Sequence, residues 1–158
     1  MWLAIKGRLS TLDRLQKWGN CIVNRCYLCM KEAEDLEHIF FKCDFSREVW
    51  EKVRIKAKIH NCDVSWNNIV QELANANNGN NIGSVVRRLC FAACVYSIWH
   101  ERNCRVFRGE NREVIDVVKA IIDTVKMKLM CINVKSSEAF RVVEKDWAIV
   151  CKNLSNKM

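Results

Sequence analysis

The sequence has no proline and only five glycines in 158 residues. Proline and glycine usually interrupt helices and shape turns, so their scarcity favours long helices. Half of the residues are apolar, and six tryptophans and six phenylalanines are among them. This composition excludes a chain that is disordered throughout. The length suffices for one domain with a real core, or for a small metal module joined to a helical domain.

A long hydrophobic run is also missing. The longest apolar stretch extends from Leu89 to Trp99 between flanking arginines, well short of the roughly 20 residues that a membrane helix needs. The first residues contain no apolar segment typical of a signal peptide. We therefore expect an intracellular protein of the nucleus or cytoplasm, neither secreted nor bound to a membrane. Its ten cysteines should then be reduced, as core residues or as metal ligands.

Sequence signatures of catalysis are absent as well. There is no glycine-rich phosphate loop and no Gly-x-Ser-x-Gly turn in the chain. No two aspartates are adjacent, so the sequence lacks the Asp-Asp pair with which polymerase active sites hold magnesium. We expect no enzymatic activity from this chain.

Positive charge exceeds negative charge, with 26 Lys and Arg against 18 Asp and Glu and a formal net charge of +8. The excess is uneven, because the span 26–43 contains two lysines and four carboxylates whereas the segments around it are basic. A basic balance suits a polyanionic partner such as nucleic acid, or an acidic membrane surface.

Hydrophobic periodicity predicts a mostly α fold. The exception is a small irregular segment near the N-terminus, whose cysteines and histidine make it a candidate zinc module. Helices are expected as two short pieces within 2–18 and then at about 46–53, 66–75, 84–108 and 113–131, with a last segment that packs Val142, Val143, Trp147 and Val150. Residues 52–60 alternate basic and apolar side chains, a strand pattern directly after a helix pattern, and both interpretations stay open. The asparagine-rich segment 75–81 is the predicted boundary between a zinc module with flanking helices at 1–60 and a helical region at 65–158.

The most specific feature is a cluster of possible metal ligands near the N-terminus: Cys26, Cys29, His38 and Cys43. Two cysteines separated by two residues fit on one tight turn. Four soft nitrogen and sulfur ligands are what a closed tetrahedral zinc site needs. The alternative is that four ordinary residues fall at this spacing by chance, and the complete pattern of two half-sites argues against it.

The second pair of ligands needs a local irregularity of the backbone. His38 and Cys43 lie five residues apart, which on a continuous α-helix places them about 140° apart. We expect His38 at the end of a regular piece and Cys43 beyond it. A carboxylate can orient the second imidazole nitrogen, although a solvated acidic loop is the plainer interpretation. The candidates for that contact are Glu34, Asp35 and Glu37.

Two other Cys/His pairs have helical spacing. Cys90 with Cys94 and His100 with Cys104 are i, i+4 pairs on the predicted long helix. Small buried cysteines on an apolar helix explain the first pair better than a metal site does.

Two groups of basic residues are candidates for contact with nucleic acid. Arg102, Arg105 and Arg108 fall within about 120° of one another on a helix, whereas Trp99 and Phe107 lie on the other side and should be core residues. A solvated arginine face is the alternative to phosphate contact. The second group is the alternating set of Lys52, Arg54, Lys56 and Lys58.

Three stretches of the chain resemble the reverse transcriptase zinc-binding family, found at the C-terminal end of plant non-LTR (LINE-type) retrotransposon polyproteins. They are Trp2-Leu-Ala-Ile with Leu12-Asp-Arg-Leu and Trp18-Gly19; Cys26-x-Leu-Cys29 with Glu37-His38-Ile-Phe-Phe-Lys-Cys43 and Ser46-x-x-Val49-Trp50; and Ile98-Trp-His-Glu-Arg-Asn103-x-Arg105-Val-Phe107.

The resemblance implies that the Cys26, Cys29, His38 and Cys43 side chains are the zinc ligands and that the parent activity is RNA-templated DNA synthesis. Family members commonly have proline and glycine around the first cysteine pair, where this chain has Tyr27 and Met30, which affects the turn and not the ligands. The chain opens with methionine where the zinc-binding region begins and lacks the polymerase and endonuclease regions, as expected of a gene fragment or a domesticated remnant.

Together these features predict a zinc-stabilised, non-catalytic accessory domain that binds RNA or DNA non-specifically. Its other possible partners are parts of a retroelement polyprotein. One alternative is a protein-interaction module in which zinc clamps the helices. Another is a decayed retroelement fragment without present function.

Overall fold

The fold is taken from a computed structural model that describes residues 2–20, 22–59, 65–75, 81–132 and 137–150. Every regular element in these ranges is helical, which confirms the predicted mostly α fold. The α-helices are α1 (Trp2–Ile5), α2 (Leu12–Lys17), α3 (Asp44–Lys56), α4 (Trp66–Asn75), α5 (Ile82–Arg108), α6 (Val114–Met130) and α7 (Glu138–Trp147), and a π-helical turn covers His38–Lys42.

Helix α5 is the central element, and α3, α6 and α7 pack against it. It begins where the Asn81 side chain accepts a hydrogen bond of 2.7 Å from the Ser84 amide, a standard cap for the free amides of a first helical turn. It ends at Gly109, whose φ of 67° only glycine adopts readily. The predicted end is confirmed, and the helix starts two residues before the predicted Ser84.

Residues 52–56 belong to helix α3, so the strand interpretation of this segment is wrong. Val49, Trp50 and Val53 are completely buried and recur at helical spacing. They form the stripe that packs on α5 and α6. Ile55, which a strand would have buried together with Val53, is mostly exposed. Burial of one helical stripe therefore decides the structure over the local alternation.

Aromatic side chains join the π-helical turn to three helices. The ring centroids of Phe40 and Trp66 lie 5.2 Å apart, and those of Phe41 and Trp50 lie 5.9 Å apart in an edge-on arrangement. Phe91 on α5 contacts both tryptophans, at 5.9 and 5.8 Å. Such ring pairs stabilise a core in addition to the stability gained from the apolar area that they bury. The segment that carries the candidate ligands is thus fixed to α3, α4 and α5.

Helices α6 and α7 complete the core. Val117, Ile121, Val125 and Leu129 form a buried i, i+4 stripe along α6, as the predicted helix at 113–131 requires. Of the four residues predicted to pack in the last segment, only Trp147 is buried, whereas Val142 and Val150 are exposed and Val143 is partly buried. The predicted packing of that segment is therefore correct for the tryptophan and wrong for the two exposed valines.

By length and composition alone α5 could cross a membrane, but half of its most apolar window is buried inside the fold. A core helix passes the same test, and α5 lies between other helices. The predicted boundary segment 75–81 falls largely outside the described residues, and the division into 1–60 and 65–158 stays a prediction.

Candidate metal centre

Four predicted ligands converge at the N-terminal side of α3. The Sγ atoms of Cys26, Cys29 and Cys43 and a ring nitrogen of His38 all lie within 4.8 Å of one another. Three of these residues are buried, and Cys29 is half-buried. The structure therefore brings together the whole set that the sequence spacing predicted.

Cys26 and Cys29 are held by a tight turn. The Met30 amide donates to the Cys26 carbonyl at 2.8 Å, and the Cys26 amide donates to the Glu32 carbonyl at 2.8 Å. The backbone amides of Leu28 and Cys29 point at the Cys26 sulfur. The turn closes with a left-handed residue, because Met30 has a φ of 56°. The turn thus presents both sulfurs on one side and stabilises negative charge on the first.

The π-helical turn explains how His38 and Cys43 can reach one metal. In a π-helix residue i+5 bonds back to residue i, and the Cys43 amide donates to the His38 carbonyl at 2.8 Å. Residues five apart then lie almost above one another instead of 140° apart. The chain leaves the turn at Cys43, which is extended with φ −62° and ψ 131°. The predicted irregularity is therefore confirmed and takes the form of a wider helical turn. The predicted place of His38 is wrong, because His38 begins this turn instead of ending a regular piece.

The distances between the donors suit zinc. A tetrahedron with Zn–S bonds of about 2.3 Å and a Zn–N bond of about 2.0 Å has S–S edges of roughly 3.8 Å and S–N edges of roughly 3.5 Å. The Cys26 and Cys43 sulfurs are 4.0 Å apart, and the Cys29 sulfur is 3.4 Å from His38 Nε2. A disulfide would need about 2.05 Å, and the described cysteines are all free. The donor set fits a closed structural zinc site.

The neighbouring sulfurs of Cys26 and Cys43 shift each other's pKa in opposite directions. The hydrogen bond from the Cys26 thiol, helped by the amides of Ser46 and Phe45, lowers the pKa of Cys43 to about 5. The same hydrogen bond, together with burial, raises the pKa of Cys26 well above its usual range. The lowered pKa of Cys43 favours its thiolate, which is the form that binds a metal.

Glu32 contacts the imidazole of His38 on the side away from the cysteines. Its Oε2 atom lies 3.3 Å from His38 Nδ1, a contact that holds the ring with Nε2 facing the sulfurs. None of the three carboxylates predicted for this role makes the contact. Asp35 instead accepts from the His38 backbone amide, Glu37 accepts from the Trp66 amide, and Glu34 is bound elsewhere.

Glu34 forms a buried ion pair with Arg102 of α5. Its side chain has 0% exposure and that of Arg102 has 3%, with two hydrogen bonds of 2.8 and 3.1 Å between them. Glu34 also accepts from the Leu12 amide at the start of α2. The predicted solvated acidic loop is therefore wrong at Glu34, which attaches the candidate zinc site to α2 and α5.

Glu101 forms a second buried group beside the first. It accepts hydrogen bonds of 2.9 Å from Arg105 and of 2.8 Å from Arg112. Arg105 also donates to the Leu28 carbonyl in the cysteine turn at 3.0 Å. Burial alone would raise the pKa of Glu101, but the hydrogen bonds from Arg112 and Arg105 outweigh burial and lower it.

The predicted basic face of α5 is wrong, because two of its three arginines are covered by the fold. Arg102 is inside the molecule, Arg105 is largely covered and fully bonded, and only Arg108 is exposed. Phe107, predicted to be core, is 77% exposed. The guanidinium of Arg102 lies 5.1 Å from the ring of Trp99, which is only half-buried. The helical stripe of Phe91, Cys94 and Ile98 continues to positions 101, 102 and 105. That periodicity could have revealed the burial.

The second basic group lies on α3 and the turn after it. Lys52 pairs with Glu48 at 3.3 Å and Arg54 with Glu51 at 2.6 Å. The two remaining members, Lys56 and Lys58, bind the backbone and the side chain of Asp146. Contact of these residues with nucleic acid stays a prediction.

The other cysteine pairs are placed as the sequence suggested. Cys90 and Cys94 are buried in α5, and burial raises the pKa of both thiols. The Cys104 sulfur lies 3.5 Å from His100 Nδ1. Within the described residues, the Cys3His cluster is the only group of three or more possible ligands.

Comparison with known protein families identifies the N-terminal part of the chain. Residues 1–50 match the family described as zinc-binding in reverse transcriptase. No curated protein and no solved structure gave a significant match. The matched segment contains all four members of the cluster and ends in α3. Residues 1–50 thus match a zinc-binding domain of the kind found in reverse transcriptase, and zinc is confirmed as the cofactor that suits this site.

Proposed function

We propose that this chain is a zinc-stabilised accessory domain that binds RNA or DNA non-specifically and has no catalytic activity of its own. We also propose that it derives from the reverse transcriptase of a plant non-LTR (LINE-type) retrotransposon. The observation that supports nucleic-acid binding is a surplus of exposed cations without ion-pair partners among the described residues, in a chain whose first 50 residues match the family described as zinc-binding in reverse transcriptase.

The surplus arises because the fold uses its carboxylates internally. Glu34 and Glu101 are buried among arginines, and Asp44 and Asp146 bind lysines. Several cations are exposed and form no ion pair with any part of the chain that the structure describes. They include Arg8, Arg25, Lys42 and Arg108. A polyanion can neutralise such residues without breaking a contact of the fold.

The zinc site supports this function indirectly. The span 26–43 is acidic, and three thiolates around a divalent metal add a further negative charge. A phosphate backbone would be repelled there. Zinc therefore acts by holding the basic segments in place. An intracellular location, in the nucleus or the cytoplasm, agrees with the free thiols of the described cysteines.

A salt titration tests the proposal. We expect the zinc-loaded chain to bind a short single-stranded RNA. The logarithm of the binding constant should fall linearly with the logarithm of the salt concentration, with a slope of about −0.7 per phosphate contact. Primer extension by the same protein should not exceed background, since the sequence has no adjacent aspartates to hold magnesium. Binding that does not respond to salt, or no binding at low salt, would contradict the proposal.

A protein-interaction module is the second candidate, and one observation favours it. An apolar groove of about 480 Å³ lies between α4 and α5, and its lining includes Val70, Leu73, Val85 and Leu89. If zinc only clamps the helices, the partner is a protein, for example another part of the polyprotein. Such an interaction would persist at high salt. A decayed fragment without present function would bind neither partner.

A further inference from the structure

Helix α2 exposes a face of basic and aromatic side chains. Arg14, Lys17 and Trp18 follow one another at i, i+3 and i+4 and therefore share this face. Trp18 directly follows the helix and is 56% exposed. The guanidinium of Arg14 lies 5.0 Å from the centroid of the Trp18 ring and thus covers one face of it. The Arg14 guanidinium also donates to the Gly7 carbonyl, which places Arg8 next to it.

The segment after α2 returns alongside this helix. The Gln16 side-chain amide donates to the Ile22 carbonyl at 3.4 Å. The Asn24 side chain accepts from the Glu34 amide at 2.7 Å and ties the segment to the zinc module. Arg25 follows and is exposed. A rigid connection to the metal site thus supports a surface on which an aromatic ring lies among cations.

The charge of this surface has one sign. Five cations and a single carboxylate, that of Asp13, lie between residues 6 and 25. The Asp13 side chain already accepts a hydrogen bond from the Thr11 hydroxyl and lies 3.9 Å from Lys17. Arg8 and Arg25 form no ion pair with the described residues. The surface therefore complements a polyanion, in contrast to the acidic span 26–43.

We infer that this α2 surface, formed by Arg8, Arg14, Lys17, Trp18 and Arg25, is the place where single-stranded nucleic acid binds. The inference rests on the proposed nucleic-acid binding and adds its location and the kind of strand. An exposed tryptophan offers a stacking surface for an unpaired base, and flanking cations bind the phosphates on either side. A duplex, whose bases are already stacked, can use only the cations.

Four variants of the zinc-loaded chain test this surface. Trp18→Ala removes the stacking ring, and Tyr96→Ala removes an aromatic side chain of similar exposure on α5. The double variant Arg8→Glu with Arg25→Glu reverses two cations of the surface. Lys119→Glu with Lys128→Glu makes the same change of net charge on α6. All four variants change exposed residues. Zinc content and circular dichroism check that each variant is folded.

Binding is measured by fluorescence anisotropy with a short oligouridine, a duplex RNA of equal length, and phosphatidylserine vesicles.

Each class of contact has its own expected signature. Trp18→Ala should weaken oligouridine binding about tenfold or more, without changing the salt slope or the binding of duplex. The Arg8/Arg25 variant should reduce the steepness of the salt dependence by about 1.4 in slope, which is roughly 0.7 for each lost phosphate contact. Tyr96→Ala and the α6 variant should stay within about twofold of wild type.

The results separate failure of the surface from failure of the function. If wild type binds oligouridine and the α2 variants bind as tightly as it does, this location is wrong while nucleic-acid binding stands. If wild type binds neither RNA, both are wrong. Binding that depends on Trp18 but is restricted to the vesicles would overturn the inference in favour of an acidic lipid surface.

Discussion

Met30 combines an unfavourable backbone conformation with a position next to the metal ligands. Its φ of 56° is in the left-handed region, which costs roughly 1–2 kcal/mol for a residue with a side chain. The side chain is exposed, so it does not offset that cost by burial. Glycine has no side chain and would adopt this conformation without that cost.

Replacing Met30 by glycine should therefore stabilise the protein. We expect the free energy of unfolding of the zinc-loaded chain to rise by about 0.5–1 kcal/mol, because the gain in backbone conformation exceeds the entropic cost of glycine. Met127→Gly is the matched control, since Met127 is also exposed but lies inside α6. There the same replacement should lower stability by about 1 kcal/mol. Denaturant titrations measure the change in the free energy of unfolding for both variants. Changes of the same sign would contradict the strain argument.

Two elements far apart in sequence are joined through Glu34 and Arg102. The pair connects the irregular segment before the π-helical turn with the C-terminal third of α5, and the Leu12 amide adds the start of α2. Both charges are removed from water, so each depends on the other for compensation. The pair therefore fixes how the zinc module lies on the helical region.

Removal of one partner should be strongly destabilising. Arg102→Leu leaves the Glu34 carboxylate buried without its cation, and we expect a loss of about 3–5 kcal/mol in the free energy of unfolding. Arg47→Leu is the control, because Arg47 pairs with Asp44 at 2.8 Å on the surface. Its effect should stay below about 1 kcal/mol. Thermal or denaturant unfolding measures the stability of both variants. Similar losses of stability would refute the importance of burial.

At the scale of the whole molecule, the metal site and the core are one structure. The π-helical turn provides His38 as a ligand and, from the same five residues, Phe40 and Phe41 as core side chains. These rings contact Trp50 on α3 and Trp66 on α4. A change at the metal site therefore alters the packing of the helices around α5.

Loss of zinc should destabilise more than the N-terminal domain. Structural zinc contributes on the order of 10–16 kcal/mol in small modules, which equals or exceeds the net stability of most domains. We expect one zinc per chain by elemental analysis. Chelation, Cys29→Ala or His38→Ala should unfold residues 21–60 and also reduce amide protection in α5.

The control for the zinc prediction is Cys90→Ala, because Cys90 is a buried cysteine of α5 away from the ligand cluster. This variant should keep one zinc and the wild-type circular dichroism spectrum. Well-folded protein without zinc would refute the prediction outright. Unfolding limited to the first 60 residues would refute only the coupling to α5.

Local sequence patterns were sufficient for most of the helices and for the Cys3His cluster. The end of α5 at Gly109 could be predicted because a left-handed glycine stops a helix without help from distant residues. The cysteine turn could be predicted because its two sulfurs are three positions apart on one short loop. In both cases the physical cause lies within a few residues of its effect.

Burial, in contrast, depends on residues that are distant in sequence. Arg102 and Glu34 are 68 positions apart, and no local pattern indicates that each neutralises the other. Whether residues 52–56 form a strand or a helix was likewise decided by the α5 and α6 surfaces that cover Val53. The sequence by itself determined the Cys3His cluster and the helical fold. Only tertiary packing decided which charges are buried, and therefore which cations remain at the surface.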